Sequence, residues 1–286
     1  MGIGLTLKAR YVDVDTGELT ALLHDDACAE LGLRERKRVK LSFTGKVTVA
    51  IVYTSDTVIK RGEIGLMGAA QHTLGSQDGD EVEVVTASKP ESVEYIKRKM
   101  NGEELSTEEI NTIIADISSR SLSNIELSAY VTSLYINGMN MRETVDLTKA
   151  MVAGGETIKF SNGPIFDHHS IGGCPGNKIT LLIVPIMAAA GCKMPKTSSR
   201  AISSAAGTSD IVETFANVAM SPSELKATTE RVGGVLAWGG SLNLAPADAL
   251  IIKAEYPLGI DPHAQLLASV MARSEEHTSE LQSRQS

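Results

Sequence analysis

Hydrophobic and polar residues alternate at the start of the chain. Leu5, Leu7, Ala9 and Tyr11 are separated by Thr6, Lys8 and Arg10; Val47, Val49 and Ile51, then Val82 and Val84, repeat the two-residue period. Successive side chains on a strand point to opposite faces, so this period predicts a β-rich domain over residues 1–86. The segment also echoes itself. Leu31-Gly32 followed by Val39-Lys40-Leu41 recurs 43 residues later as Leu74-Gly75 followed by Val82-Glu83-Val84, which predicts two copies of a helix–turn–strand unit. The copies differ in charge: Arg34, Arg36, Lys37, Arg38 and Lys40 lie in the first, Asp78, Asp80, Glu81 and Glu83 in the second. Solvated loops account for this, and complementary faces pairing between subunits are the alternative.

From Pro90 the period becomes helical. Ser106-Thr107-Glu108-Glu109 and Ser123-Asn124-Ile125-Glu126 are capping boxes, in which the Ser oxygen accepts an early backbone N–H and the Glu reaches back. Ile110, Ile113, Ile114 and Ile117 keep helical spacing after the first box; Ile125, Ala129, Leu134 and Ile136 are expected to lie along the second helix, which Gly138 ends. A third helix is expected from Met141 to about Ala153, stopped by Gly154-Gly155, giving a helical domain over 87–158.

Composition narrows the function. The chain has 286 residues, net charge −8 and 4% aromatic residues, which argues against nucleic acid as a partner. No apolar run reaches the roughly 20 residues that span a bilayer, and the first residues lack a secretion-signal layout, so no membrane and a cytoplasmic location are expected. Cys28, Cys174 and Cys192 are far apart with no zinc-type spacing; reduced thiols and no metal are expected. Residues 161–272 hold seven cations against eight anions, the smallest imbalance of any long segment, and the place to look for an anion site.

Two stretches there carry candidate chemistry. Asp167-His168-His169-Ser170-Ile171-Gly172-Gly173-Cys174-Pro175-Gly176-Asn177-Lys178 sets three glycines and a proline before an apolar run from Ile179 to Ala190. Glycines let backbone amides approach an oxyanion, and a following helix directs its N-terminal N–H groups to the same place. The spacing is not that of a Walker A loop, since Asn177 stands where the second Gly belongs. Lys196-Thr197-Ser198-Ser199-Arg200-Ala201-Ile202-Ser203-Ser204-Ala205-Ala206-Gly207-Thr208 adds two cations and several hydroxyls, the side-chain complement of a phosphate.

With these blocks the sequence resembles the thymidine/pyrimidine nucleoside phosphorylase superfamily and, within it, the archaeal-type AMP phosphorylases. The match rests on HSIGGCPGNKIT (169–180), PKTSSRAISSAAGTSD (195–210) and LAPADALIIKAEYPLGIDPHAQLLASV (244–270), long and collinear. The resemblance implies an α/β fold with a β-rich amino-terminal domain, a small helical domain and the first part of a nucleoside-phosphorylase-type α/β domain over 159–272, of which about 246–272 packs back on the helical domain. It implies a glycosyltransferase that converts AMP and phosphate to adenine and ribose 1,5-bisphosphate, with CMP and UMP as further substrates, no cofactor, and a homo-oligomeric full-length protein. Asp261 is the implied proton donor to the purine; a helix N-cap is its plain structural role. Substrate contacts carried over by position are Gly173, Ser199, Arg200, Ala201, Ile202, Ser203, Ser204, Thr208 and Ser269. The wider superfamily's phosphate site implicates Ser170, Lys196, Ser198 and Thr208.

The sequence departs from the nucleoside branch where His168 replaces a lysine. No Arg occurs between Arg231 and Arg273 to grip a pyrimidine carbonyl, which agrees with a purine substrate. Residues 273–286 contain one aliphatic residue, Leu281, and read as a non-native tail on a carboxy-terminally truncated chain, expected to have little or no activity alone. A pyrimidine nucleoside phosphorylase, an anthranilate-type phosphoribosyltransferase that requires Mg²⁺, and a non-catalytic nucleotide-binding or assembly fragment are the alternatives.

Overall fold

The computed structural model describes residues 4–33, 37–161, 163–168, 177–198, 200–201, 206–242 and 244–275. The glycine loop at 169–176 lies outside them. So do Ser199 and residues 202–205. The chain divides into two units, Met1–Val93 with Ser119–Glu126, and Glu94–Ser118 with Leu127–Ser286.

The alternating segments of the first unit are strands, and the echo is a structural repeat. β1 (Gly4–Val12), β2 (Thr20–Leu23), α1 (Asp25–Glu30) and β3 (Arg38–Phe43) are followed by β4 (Lys46–Thr54), β5 (Glu63–Met67), α2 (Gly68–Leu74) and β6 (Glu81–Ala87). The strands close a barrel in the order β1-β5-β2-β4-β3-β6. Exchanging β1 with β4, β2 with β5 and β3 with β6 maps that order onto itself, including the parallel pairs β1–β5 and β2–β4. Both copies end their helix on a left-handed glycine, Gly32 at φ 63° and Gly75 at φ 72°, which is why Leu-Gly marks the repeat. Leu7, Val39, Leu41, Val82 and Val84 fill the barrel, and Leu41 sits opposite Val84. Residues 119–126 are held to it by Arg38, 4% exposed, which donates to the Ser121 carbonyl and the Glu126 carboxylate. Burial pushes the Glu126 carboxyl up, but the Ser123 N–H and Arg38 outweigh it and hold the group below the usual range.

The second unit takes up the helical pattern with α3 (Ser92–Met100), α4 (Thr107–Ser118), α5 (Asn124–Asn137) and α6 (Met141–Ala153). Both expected boxes form: Glu109 N donates to Ser106 Oγ at 3.3 Å and Glu126 N to Ser123 Oγ at 3.2 Å. The four isoleucines of α4 are buried. The face expected for α5 is corrected: Ile125 and Ile136 are 63% and 72% exposed, while Leu127, Tyr130, Val131 and Leu134, at i, i+3, i+4 and i+7, face inward.

Next come α7 (Thr180–Ala189), β7 (Met194–Ser198), α8 (Thr208–Glu213), α9 (Pro222–Val232), β8 (Gly234–Trp238), α10 (Pro246–Leu258) and α11 (His263–Glu275). β7 and β8 pair in parallel with Lys196 opposite Leu236 and Ser198 opposite Trp238. Parallel neighbours need a long crossover, here α8 and α9. α7 and α9 pack on both strands. α7 comes close because Gly234 has no side chain: a Cβ there would meet Val184 Cγ1 at 2.9 Å. α11 packs along α6 and α10 against α4, and Gln265 on α11 donates to buried Asp248 on α10 at 3.1 Å. The mixed α/β fold with a β-rich start and a helical segment is therefore as expected.

Candidate active site

Arg200 and Ala201, which follow β7, are brought against α8 and the end of β8. Met194, Pro195, Lys196 and Thr197 are all buried, so the strand carries its one cation into the interior; Lys196 is 3% exposed and its Nζ donates to the Thr197 carbonyl. A buried ammonium needs acceptors, and a strand end supplies carbonyls. Ser198 Oγ lies 2.5 Å from Ser209 Oγ, and the Ser209 hydroxyl also donates to the Ser198 carbonyl at 3.1 Å.

Asp210 ties Ala201 and Gly207 to α8. Its Oδ2 accepts from the Ala201 N–H and the Gly207 N–H, each at 2.9 Å. Arg200 points at the same helix: Nη2 donates to Glu213 Oε1 at 2.8 Å, Nη1 lies 2.7 Å from Glu213 Oε2 and 3.5 Å from Asp210 Oδ1, and Cζ stands 4.7 Å above the Trp238 ring. The hydrogen bond to Glu213, with the charges of Glu213 and Asp210, raises the Arg200 pKa further against the opposing effect of desolvation. The base of β7 is anchored by Glu230 on α9, which accepts from Lys193 and from the Ser161 hydroxyl and N–H. The Lys193 bond, with those from Ser161, brings its carboxyl down to about 2.

Of the expected site residues, Lys196, Ser198, Arg200, Ala201 and Thr208 gather around β7 and the start of α8, with Thr208 8% exposed. Asp261 and Ser269 come from another element: Asp261 lies two residues before α11, and Ser269 is buried within it. Gly173, Ser170, Ser199, Ile202, Ser203 and Ser204 lie outside the described residues. Sequence reasoning missed Glu213 and Trp238. It also missed two buried hydroxyls, Thr180 Oγ1 at the first turn of α7 and Thr197 Oγ1 on β7, neither with a partner among the described residues. Thr180 carried a signal, a hydroxyl residue opening the helix after the glycine loop; Trp238 carried none, because only the β7–β8 register brings it opposite Ser198. Among the described residues no three His, Cys, Asp or Glu side chains converge as a metal site, and no helix is long and apolar enough to cross a membrane. Cys28 is a buried free thiol raised by burial and by Asp25 and Asp56; Cys192 is also free.

Two family models match the chain, the helical bundle domain of the glycosyl transferase family over residues 93–155 and the a/b domain of that family over 162–254. The chain is similar to AMP phosphorylase 1 of Archaeoglobus fulgidus, 49% identical over 269 residues that make up 94% of this chain and 53% of the relative. It is 48% identical to the AMP phosphorylase of Methanocaldococcus jannaschii over the same shares. The chain thus spans about half the length of the curated relatives it matches. Among solved structures it is similar to anthranilate phosphoribosyltransferase from Thermus thermophilus, with a TM-score of 0.54 and 20% identity over 62% of this chain and 54% of that one, a likeness of fold alone.

Proposed function

Because the chain belongs to the glycosyl transferase family, on the branch of the AMP phosphorylases, we propose that it takes part in phosphorolysis of a nucleoside 5′-monophosphate, with AMP as substrate. An oxygen of inorganic phosphate forms a bond to the anomeric carbon of the ribose as the bond from that carbon to the purine nitrogen breaks. The electron pair leaves with adenine, which takes a proton from Asp261, and ribose 1,5-bisphosphate remains. The anomeric carbon is cationic in the transition state, so the chemistry requires an anionic nucleophile held close and a leaving base that is protonated as it departs.

In this reading Lys196, Ser198, Thr208 and Ser170 form the phosphate site, which serves the nucleophilic phosphate or the 5′-phosphate. Gly173, the segment from Ser199 to Ser204, Thr208 and Ser269 hold the nucleotide, with Arg200 as a phosphate contact. The observation that carries the reading is identity of 45–49% held over 269 residues to relatives named AMP phosphorylase. The buried cation of β7 and the hydroxyls around it supply groups suited to an oxyanion.

The test is this chain completed in frame with the carboxy-terminal half of the Archaeoglobus fulgidus relative, incubated with AMP, CMP or UMP with and without phosphate, and assayed for free base. Adenine release from AMP that requires phosphate is expected, and base release from CMP and UMP decides the substrate range. Release independent of phosphate, or none from AMP, overturns the proposal; a requirement for Mg²⁺ and a pyrophosphorylated ribose would favour the phosphoribosyltransferase chemistry instead. In the same protein Asp261→Asn lowers turnover by about 10²–10⁴-fold while AMP binding by calorimetry is unchanged. Unaltered turnover removes Asp261 from the mechanism.

A further inference from the structure

Glu213 touches one polar group among the described residues, the guanidinium of Arg200. Asp210 beside it is different, since its carboxylate is already engaged by the Ala201 and Gly207 N–H groups. The Glu213 oxygens take the two terminal nitrogens of Arg200 at 2.7 and 2.8 Å, the fork-to-fork arrangement a phosphate group also adopts with arginine. Below the guanidinium lies Trp238, the single tryptophan of the chain. Gly240 leaves room for the indole: a Cβ there would come within 2.5 Å of Trp238 Cζ2. Arg200 is thus held in its plane by the ring and in direction chiefly by Glu213, with the longer contact to Asp210 Oδ1 at 3.5 Å beside it.

We propose that Glu213 is a positioning residue that keeps Arg200 on Trp238 in the ligand-free protein and yields the guanidinium to the phosphate group of the ligand, so that Glu213 sets the affinity for phosphate. The inference rests on the reading of Arg200 as a phosphate contact. Exchange is feasible because the pair is at the surface, with both side chains 43% exposed, where an ion pair contributes little. A phosphate dianion carries twice the charge of the carboxylate it replaces and offers the same two-oxygen face. Trp238 keeps its cation–π contact through the exchange, so the guanidinium does not have to be reordered.

The indole reports the exchange, because the anion paired with the cation stacked on it changes from a carboxylate to a phosphate. The experiment is a titration of the 286-residue chain with inorganic phosphate, and separately with AMP, following tryptophan emission in the wild type, Glu213→Gln, Glu213→Ala and Arg200→Ala. A saturable emission change is expected in the wild type. Both Glu213 variants reach half-saturation at about two- to fivefold lower ligand concentration, the fold-change that corresponds to loss of one exposed ion pair. Arg200→Ala loses the response. A structural brace would give the opposite sign, since removing it would loosen Arg200 and weaken binding. Midpoints that stay put or rise in both Glu213 variants, with the response abolished in Arg200→Ala, overturn the role of Glu213 and leave the Arg200 reading standing. If Arg200→Ala titrates like the wild type, that reading fails and the inference with it. A wild-type chain whose emission responds to neither ligand overturns the inference directly.

Discussion

Glu143 shows how much one side chain can hold together. It is 1% exposed; one oxygen accepts from Lys99 Nζ at 2.8 Å and the Leu105 N–H at 2.9 Å, and the other accepts from the Asn140 N–H at 2.9 Å as half of the capping box of α6. Burial alone would raise its carboxyl, but the Leu105 N–H, Lys99 and the Asn140 N–H outweigh it and keep the group ionised below the usual range. Nearby Tyr130 is raised by burial and by the charge of Glu143. Glu143→Gln leaves the Lys99 ammonium buried without a counter-charge, and we predict a loss of about 3–5 kcal/mol in urea unfolding. Adding Lys99→Met to Glu143→Gln, which removes the unpaired ammonium and keeps an acceptor for the Leu105 N–H, recovers most of it; a loss under about 1 kcal/mol in the single variant would mean that Lys99 reaches water instead. Neither residue stood out in the sequence, because a charged pair 44 positions apart leaves no local pattern. The cations and hydroxyls of the 196–208 cluster were visible as a group for the opposite reason: they are contiguous.

Elements were legible where a local rule fixes them. The third helix of the bundle runs from Met141 to Ala153 as its apolar spacing and terminal glycines require, and both Ser-x-x-Glu boxes close. The face of α5 was not legible, because apolar residues lie all around that helix and only packing selects Leu127, Tyr130, Val131 and Leu134 over Ile125 and Ile136. The β3–β4 hairpin turns through Thr44 at φ 45° and Gly45 at φ 81°, both left-handed, between the paired residues Phe43 and Lys46. Two positive-φ residues make the type I′ turn that suits the twist of the strands, but a β-branched threonine is a poor occupant of the first position. Thr44→Asn, which tolerates that backbone, is predicted to raise the stability of the chain by about 0.5–1 kcal/mol, read as a higher thermal midpoint. An unchanged or lower midpoint would mean that the Thr44 conformation carries no strain.

Both units depend on depressed carboxylates, Glu126 in the first and Glu143 and Glu230 in the second. A carboxylate whose pKa is lower in the folded state contributes stability that is complete above the unfolded value of about 4.3 and is lost as pH falls through the folded value. Thermal midpoints are therefore predicted to be level through neutrality and to fall below about pH 5, with the loss extending toward pH 2, where Glu230 titrates. Glu230→Gln removes the lowest part of that slope; a variant with the same acid profile as the wild type would take Glu230 out of the account. The interleaving of the barrel bears on synthesis. β1 has no partner within its own repeat: Lys8 pairs with Glu63, 55 residues later, and Thr20 of β2 with Ile51. Only β3 and β4 meet through a short turn among the described ladders. On a ribosome adding about 5–20 residues per second, β1 waits roughly 3–11 s for its neighbour to emerge. During that interval an unpaired strand edge and the apolar residues of half a barrel face the solvent around the ribosome, a window in which a nascent-chain chaperone has something to hold.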